Sequence, residues 1–530
     1  MKKWTWKEDR RVQRGQQGYT RHPGRGRYRG RRRWRPSWED RDGYDAAGPS
    51  SRTSDNEISS SSSDNSVAPE LPGFYFDSEK NRYFRLLPGN NNCNPLTREH
   101  LKKKSQEKER ARMLEEDGKA TKKAPRAGLN ASLLLQNRRL GLLAEMSYHR
   151  QVHECRISTM RCCKLDHQSA DNFRTIMADS TCEQVFTVSD MSYGGCKYSC
   201  LGFSRSSSGG SLTVKMCDNP YFTNYKVNSL CWASVNHLDS HVLLCLVGVA
   251  NRLGSITLLP TALFSNSDSN QTGMCCNFKI PMAWCCAWCL HPQFDKWFSA
   301  GQGHKIFHTF IHVISVAICA HNLKARLHLL AGLSYQVVLQ QAVSGKRQTI
   351  SVDSDILAQQ FCVGVPLLFN GCRSGEIFSL DARNMRGSKA TSLKQDSAIT
   401  SLRILQDENY LLAADMSGQI KLWDIRARKP VQEYRGHYNE HAALPIHVSE
   451  PEGLLLTVGQ DCYTRFWSLR DGHLLRTIPS PHPAASDAIP SVVFSSSLGG
   501  RTGVPGLLMA VKKDLYYFPY NTDETTPQEA

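Results

Sequence analysis

Between about residues 170 and 520, short apolar runs alternate with clusters of Gly, Asn, Asp and Ser. That spacing predicts an all-β fold rather than packed helices. The clearest run with its turn, Ser417-Gly-Gln-Ile-Lys-Leu-Trp-Asp424, serves as a template. Ser374-Gly-Glu-Ile-Phe-Ser-Leu-Asp381 matches it closely, and Cys462-Tyr-Thr-Arg-Phe-Trp-Ser468 matches it in shape. Val337-Val-Leu339 and Ser255-Ile-Thr-Leu-Leu259 match weakly. The large apolar position then falls at Leu339, Leu380, Trp423 and Trp467, at intervals of 41, 43 and 44 residues. Four strands with their turns need about 40–45 residues, the length of one β-propeller blade. Residues 185–190, residues 212–217 and a closing strand within 507–518 bring the expected count to seven blades over 170–520.

One interval breaks the rhythm. Leu259 and Leu339 are 80 residues apart, too far for one blade and awkward for two. Trp288-Cys-Leu-His-Pro-Gln-Phe-Asp-Lys-Trp-Phe-Ser-Ala-Gly301 reads as the first half of a blade, and Leu333-Ser-Tyr-Gln-Val-Val-Leu339 as the second. Removing residues 302–332 joins the halves and shortens the interval to 49. The segment is expected to be an insertion at a strand-to-strand turn, from splicing or retained intron sequence; a native long loop is the competing reading, since turns tolerate added length.

Upstream the pattern changes. Across 130–146, Leu133, Leu134, Leu135, Leu140, Leu142 and Leu143 gather on one side with Arg138 and Arg139 between them. This predicts a short amphipathic helix, with residue 130 or 132 as its cap. Its apolar face must be buried somewhere, either on the chain's own propeller or on a partner. Residues 97–117 are highly charged with little apolar face, and predict a solvated helix. Order is expected to begin near residue 71, with the aromatics Phe74-Tyr-Phe76 and Tyr83-Phe84, so that 70–150 forms a region of its own. Residues 1–69, Arg-rich and then Ser-rich, carry too few apolar side chains to offset the entropy of ordering, as do 521–530.

Charge sharpens this division. The chain carries a net charge of +17, and the first 42 residues alone hold 15 Lys and Arg against 5 acidic residues. The block Arg25-Gly-Arg-Tyr-Arg-Gly-Arg-Arg-Arg-Trp-Arg35 could hold nucleic acid through phosphates, with Tyr28, Trp34 and Trp38 stacking. A nuclear import signal or a solvated tail would use the same residues. No secretory start follows Met1, so the 19 cysteines are expected to be reduced, and the protein nuclear or cytoplasmic. The apolar run 306–320 is too short for a membrane span and contains His308 and His312. Cys286-Ala-Trp-Cys289, with Cys275, Cys276, His304, His308 and His312, raises zinc; the expectation is a buried strand over 282–290 with structural cysteines and no metal. No phosphate loop, nucleophile elbow, HExxH pair or kinase signature is present. Neither a cofactor nor catalysis is expected.

Three strand endings carry the functional reading. Trp423-Asp-Ile-Arg426 and Leu380-Asp-Ala-Arg383 both end in Asp and then Arg two positions on, and Trp467-Ser-Leu-Arg470 keeps only the Arg. At a propeller rim such a guanidinium can reach a partner's carboxylates or carbonyls. The chain resembles the WD-repeat family: Tyr434-Arg-Gly-His437, Asp461 and Trp467, with Trp423 in the preceding repeat, have the spacing of its structural network. The resemblance implies a His437–Asp461 hydrogen bond. The Asp-x-Arg endings, and Ser132-Leu-Leu-Leu-Gln-Asn-Arg-Arg-Leu-Gly141, are similar to the cullin-4-associated factors. The segments Leu71-Pro-Gly-Phe-Tyr-Phe-Asp77, Arg82-Tyr-Phe-Arg-Leu-Leu-Pro-Gly89, Asn92-Cys-Asn-Pro-Leu-Thr97 and Gly459-Gln-Asp-Cys-Tyr-Thr464 resemble that family's factor-four branch. The resemblance covers about 68–520, apart from 302–332. It implies a non-catalytic substrate receptor for a cullin-4 RING ubiquitin ligase. Leu134, Leu135 and Leu140, helped by Arg138, would enter the damaged-DNA-binding adaptor. Asp381, Arg383, Asp424 and Arg426 would meet that adaptor from the rim, and an unidentified protein substrate would sit on the other face. A scaffold without ligase function, RNA-associated through its tail, is the rival.

Overall fold

The computed structural model describes residues 74–77, 82–85, 98–119, 131–166 and 171–520, apart from breaks at 193, 206–211, 217–218, 249–253, 265–274, 304–334, 385–391, 484–487 and 500–502. The strands Phe74–Asp77 and Arg82–Arg85 pair in a two-stranded sheet. The described residues from 84 onward fall in one compact unit. Within it seven antiparallel sheets follow one another along the chain, and the first strands of successive sheets are neighbours around an axis. This is the expected seven-bladed propeller. Strands are lettered a to d from the axis outward, and blades 1 to 7 begin at Asn172, Lys226, Ala283, Ile356, Ile399, Ile446 and Ser491.

The core explains the sequence pattern. Seven apolar clusters occupy the seven gaps between neighbouring blades, including the gap between blades 7 and 1. A middle strand is covered on both faces, so it reads as a continuous apolar run rather than an alternating one. Strand b of blade 6, Leu454–Val458, is buried throughout. Leu259, Leu339, Leu380, Trp423 and Trp467 all lie on c strands, as the repeat predicted.

Closure departs from expectation. Blade 7 takes strands a to c from Ser491–Leu498, Val504–Val511 and Asp514–Pro519, and strand d from Cys163–Leu165. The propeller therefore begins at residue 163, not 170. Three residues are too short to carry a periodic signal. Residues 185–190 and 212–217 are not parts of separate blades; they are strands b and d of blade 1, Gln184–Asp190 and Leu212–Met216.

Strand b of blade 3, Trp297–Gln302, pairs with strand c, Tyr335–Gln341, in unbroken register from Trp297↔Gln341 to Gln302↔Gln336. The connection, residues 303–334, falls at the strand-to-strand turn of the expected insertion, but Gln302, expected within it, ends strand b and pairs with Gln336. His304, His308, His312 and the apolar run 306–320 lie outside the described residues. Among the described residues no helix is long and apolar enough to cross a membrane. Cys286 faces the core between blades 2 and 3, whereas Cys289 faces that between blades 3 and 4. Two cysteines buried in different blade gaps do not converge on one metal, and no group of metal-binding side chains occurs among the described residues.

Candidate docking surface

Among the described residues three helices precede the propeller: α1, Arg98–Lys119; α2, Ala131–Arg139; and α3, Glu145–Ser158. The single helix expected over 130–146 is thus two. Gly141 adopts φ +70°, a left-handed conformation that suits glycine, and the N–H groups of Leu142 and Leu143 return to the Asn137 carbonyl at 2.9 and 3.2 Å. This closes the end of α2 and redirects the chain.

α3 is anchored deeply. Ile157 and, just beyond the helix, Met160 are fully buried among Leu454, Leu456, Val492, Leu507 and Met509 of blades 6 and 7. Arg476 Nη1 donates to the carbonyls of Ile157 at 2.5 Å and Met160 at 3.1 Å, satisfying acceptors left over at the helix end. Arg156 pairs with Glu452 at 3.2 Å, and Glu154 with His473 at 3.5 Å. The solvated helix expected over 97–117 is more engaged than that. Arg110 of α1 is buried and donates to the Ser480 carbonyl at 3.0 Å, and Asp117 pairs with Arg476 at 3.3 Å.

α2 contrasts with both. Leu133, Leu135, Leu140 and Leu142 are exposed, the last two at 63% and 74%, and only Leu134 and Leu143 are partly covered. Arg138 is not a free arm. Its guanidinium pairs with Glu145 at 3.0 Å and lies 4.9 Å from the Tyr148 ring centroid, which pins α2 to α3. An apolar helix is thus held in water by a mount buried at its far end. The alternative, that its leucines pack on the chain's own propeller, does not match this geometry.

The Asp-x-Arg sequences end the c strands of blades 4 and 5, Glu376–Asp381 and Ile420–Asp424. In both, Asp shapes the turn by accepting the N–H of the Arg, at 2.9 Å for Arg383 and 2.8 Å for Arg426. The guanidiniums then differ. Arg383 folds back on Asp381 through Nε at 3.0 Å and Nη2 at 2.7 Å, and this bond holds the Asp381 carboxyl below its ordinary range. Arg426 is exposed, and its guanidinium has no partner among the described residues. In blade 6, Ser468 is buried, whereas Arg470 is exposed beside His153 of α3. Helix mount and arginine rim therefore meet at blade 6.

The adjoining a–b loops brace this rim. Glu408 Oε1 of blade 5 accepts the N–H groups of Val363 and Gly364 of blade 4, both at 2.6 Å, and Glu450 of blade 6 accepts the Gln406 N–H of blade 5 at 2.9 Å. Blades 4, 5 and 6 are linked on the face where the arginines emerge. The sequence offered a faint signal, one Glu at or after each of these turns.

The WD network differs from expectation. Asp461 pairs with Arg465 at 3.0 and 2.5 Å and accepts no hydrogen bond from His437, whose Nδ1 is buried without a partner. A charged, forked donor four residues along outcompetes an imidazole for one carboxylate. Burial, with the Arg465 charge adding to it and Asp461 opposing it, pushes His437 down to about 4. Trp467 is fully buried and donates Nε1–H to the Arg435 carbonyl at 2.9 Å, tying the blade to the loop before it. Trp423 packs between blades 4 and 5 with its Nε1 unpaired. The arginine block 25–35 lies outside the described residues.

Comparisons with known proteins agree with this architecture. The family described as the DDB1- and CUL4-associated factor 4 beta-propeller domain matches residues 148–315 and 310–520, its two segments meeting within the long connection of blade 3. The chain is 50% identical to human DDB1- and CUL4-associated factor 4 over 500 residues, covering 91% of this chain and 94% of that protein. It is 50% identical to the Bos taurus protein of the same name over 474 residues, 87% of this chain and 90% of that one. Human DDB1- and CUL4-associated factor 4-like protein 2 is 47% identical over 426 residues, 78% of this chain and the whole of that protein.

Proposed function

Because the chain belongs to the DDB1- and CUL4-associated factor 4 family, we propose that it is a substrate receptor that docks on DDB1, the damaged-DNA-binding adaptor of cullin-4 RING ubiquitin ligases. The observation that carries the reading is α2, whose leucines are held in water on a helix pair sunk into the propeller core at its other end. Burying one leucine stabilises a complex by roughly 1.5–3 kcal/mol. Association costs several kcal/mol before any net affinity appears. Four leucines alone would therefore give weak docking, and the arginine rim beside them supplies the rest. The face opposite the rim is left to present a protein substrate. Ubiquitin transfer itself would take place elsewhere in the ligase, with this chain as a non-catalytic subunit.

The test is co-purification of DDB1 and cullin-4 with the full chain and two double variants, Leu135→Asp/Leu140→Asp and Arg383→Ala/Arg426→Ala. Both are expected to recover far less adaptor while keeping the wild-type melting temperature, because every altered side chain is exposed. Full recovery by both would reject the reading. Deleting residues 1–42 is expected to leave adaptor recovery intact; loss there would favour the scaffold assembled through its basic tail.

A further inference from the structure

The a strands of the seven blades line a central channel, and an unpaired cation lies in it. Arg403 sits on strand a of blade 5, Ile399–Ile404. Its neighbour Leu402 is buried in the core between blades 4 and 5, and Arg403 points the other way. The side chain is exposed by its accessible surface, yet protein crowds it enough for burial to depress its guanidinium. Its electrostatic reach to Cys231, on the inner strand of blade 2, places it on the inner side of the ring. Among the described residues only Nε has a partner, the Ile446 carbonyl of blade 6 at 3.1 Å. Among the described residues no carboxylate pairs with it.

Beside the Ile446 carbonyl, the side chains near Arg403 are neutral. His447 follows Ile446 on the next inner strand, with a buried, unpartnered Nε2. Burial, and then the Arg403 charge, push this imidazole down to about 3, so it is neutral at ordinary pH. Cys231, on strand a of blade 2, is near enough to interact electrostatically with Arg403, and its buried thiol stays protonated beside Cys286. Arginine cannot shed its proton to escape burial. A crowded cation with one carbonyl and otherwise neutral side chains around it lacks one thing, an anion with several acceptor atoms. The fork left over by the Nε bond matches an oxyanion in two-point contact.

We propose that the central channel binds a small oxyanion of the phosphate class, gripped by the Nη groups of Arg403, with His447 donating beside it. The site is separate from the docking rim and does not depend on adaptor binding.

Thermal unfolding and titration calorimetry of the full chain with inorganic phosphate, against chloride at equal ionic strength, test it. Arg403→Gln keeps an N–H for the Ile446 carbonyl and removes the charge. Arg347→Gln, an exposed arginine on an outer strand, controls for diffuse attraction to the basic chain. Wild type and Arg347→Gln should show saturable binding and a phosphate-specific rise in melting temperature. Arg403→Gln should bind about tenfold more weakly or not at all, as loss of a charge-assisted contact implies. His447→Leu removes only the neutral donor, should bind severalfold more weakly, and decides the matter if Arg403→Gln does not fold. No saturable binding in wild type would overturn the proposal. So would undiminished binding in folded Arg403→Gln, or in His447→Leu where it is the deciding variant.

Discussion

At the scale of single residues, two arginines that look alike in sequence are not equivalent. Arg383 must release Asp381 before it can meet a partner, whereas Arg426 has nothing to release. An exposed ion pair is worth little, so the difference is one of degree. Arg426→Ala is expected to weaken DDB1 binding about tenfold and Arg383→Ala about threefold, of the order of 1 kcal/mol apart at most, in a surface-plasmon titration. The reverse ranking would show that the fold-back pair presents Arg383 rather than restraining it. His437 carries a second prediction. Its native form is neutral down to about pH 4, whereas in the unfolded chain it takes up a proton near 6.5. Its lowered value means that stability is full above 6.5 and drains away as pH falls from 6.5 towards 4. Urea melts at pH 7.5 and 4.5 should therefore differ less in His437→Gln than in wild type, by on the order of 2–3 kcal/mol. His447 titrates in the same sense, so the variant flattens the profile without abolishing it.

At the scale of elements, the long connection in blade 3 is the clearest test. Trp297–Gln302 and Tyr335–Gln341 are already in register at both ends, so the hairpin does not need the intervening residues to pair. Deleting 304–333 leaves a connection of two residues, a length that antiparallel strands accept. The shortened chain is expected to fold with an equal or higher melting temperature, and a lower one would mark the segment as part of the native blade. The same elements explain what the sequence made legible. The c strands were readable because each is buried on both faces and ends in a recurring turn. The closing strand Cys163–Leu165 was not, because three residues cannot show a period, and its role depends on Tyr517 and Leu515 more than 300 residues away. The break between α2 and α3 was likewise hidden. The leucine pattern runs through it, and only the positive φ of Gly141 marks the boundary. The exposed leucines of α2 were legible as an apolar face, but Arg403 was not legible, because an arginine in an inner strand looks like any other charge in a turn-rich chain.

At the scale of the whole molecule, the ring is held shut at one seam. Beyond its backbone pairing, Lys164 reaches Asp514 at 2.8 Å, and His482 reaches the same carboxylate at 2.8 Å. Leu165 joins the core between blades 7 and 1. Removing residues 1–143 should leave unfolding cooperative. Removing 1–166 strips strand d from blade 7 and should lower the melting temperature by roughly 10 °C or more, or leave the protein aggregated, when the two truncations are compared by calorimetry. Equal stability would mean that the seam is dispensable.

That seam also sets an order of events during synthesis. The bed that receives Ile157 and Met160 includes Val492, Leu507, Met509 and Phe518. A ribosome delivers α2 and α3 early and their socket last. Until the final blade emerges, α2 has no fixed mount, and the ring has an open edge. A chain terminated before residue 491 would carry the leucines without the means to aim them, and so would compete poorly with finished receptors. Completion of the chain thus works as a licence for assembly.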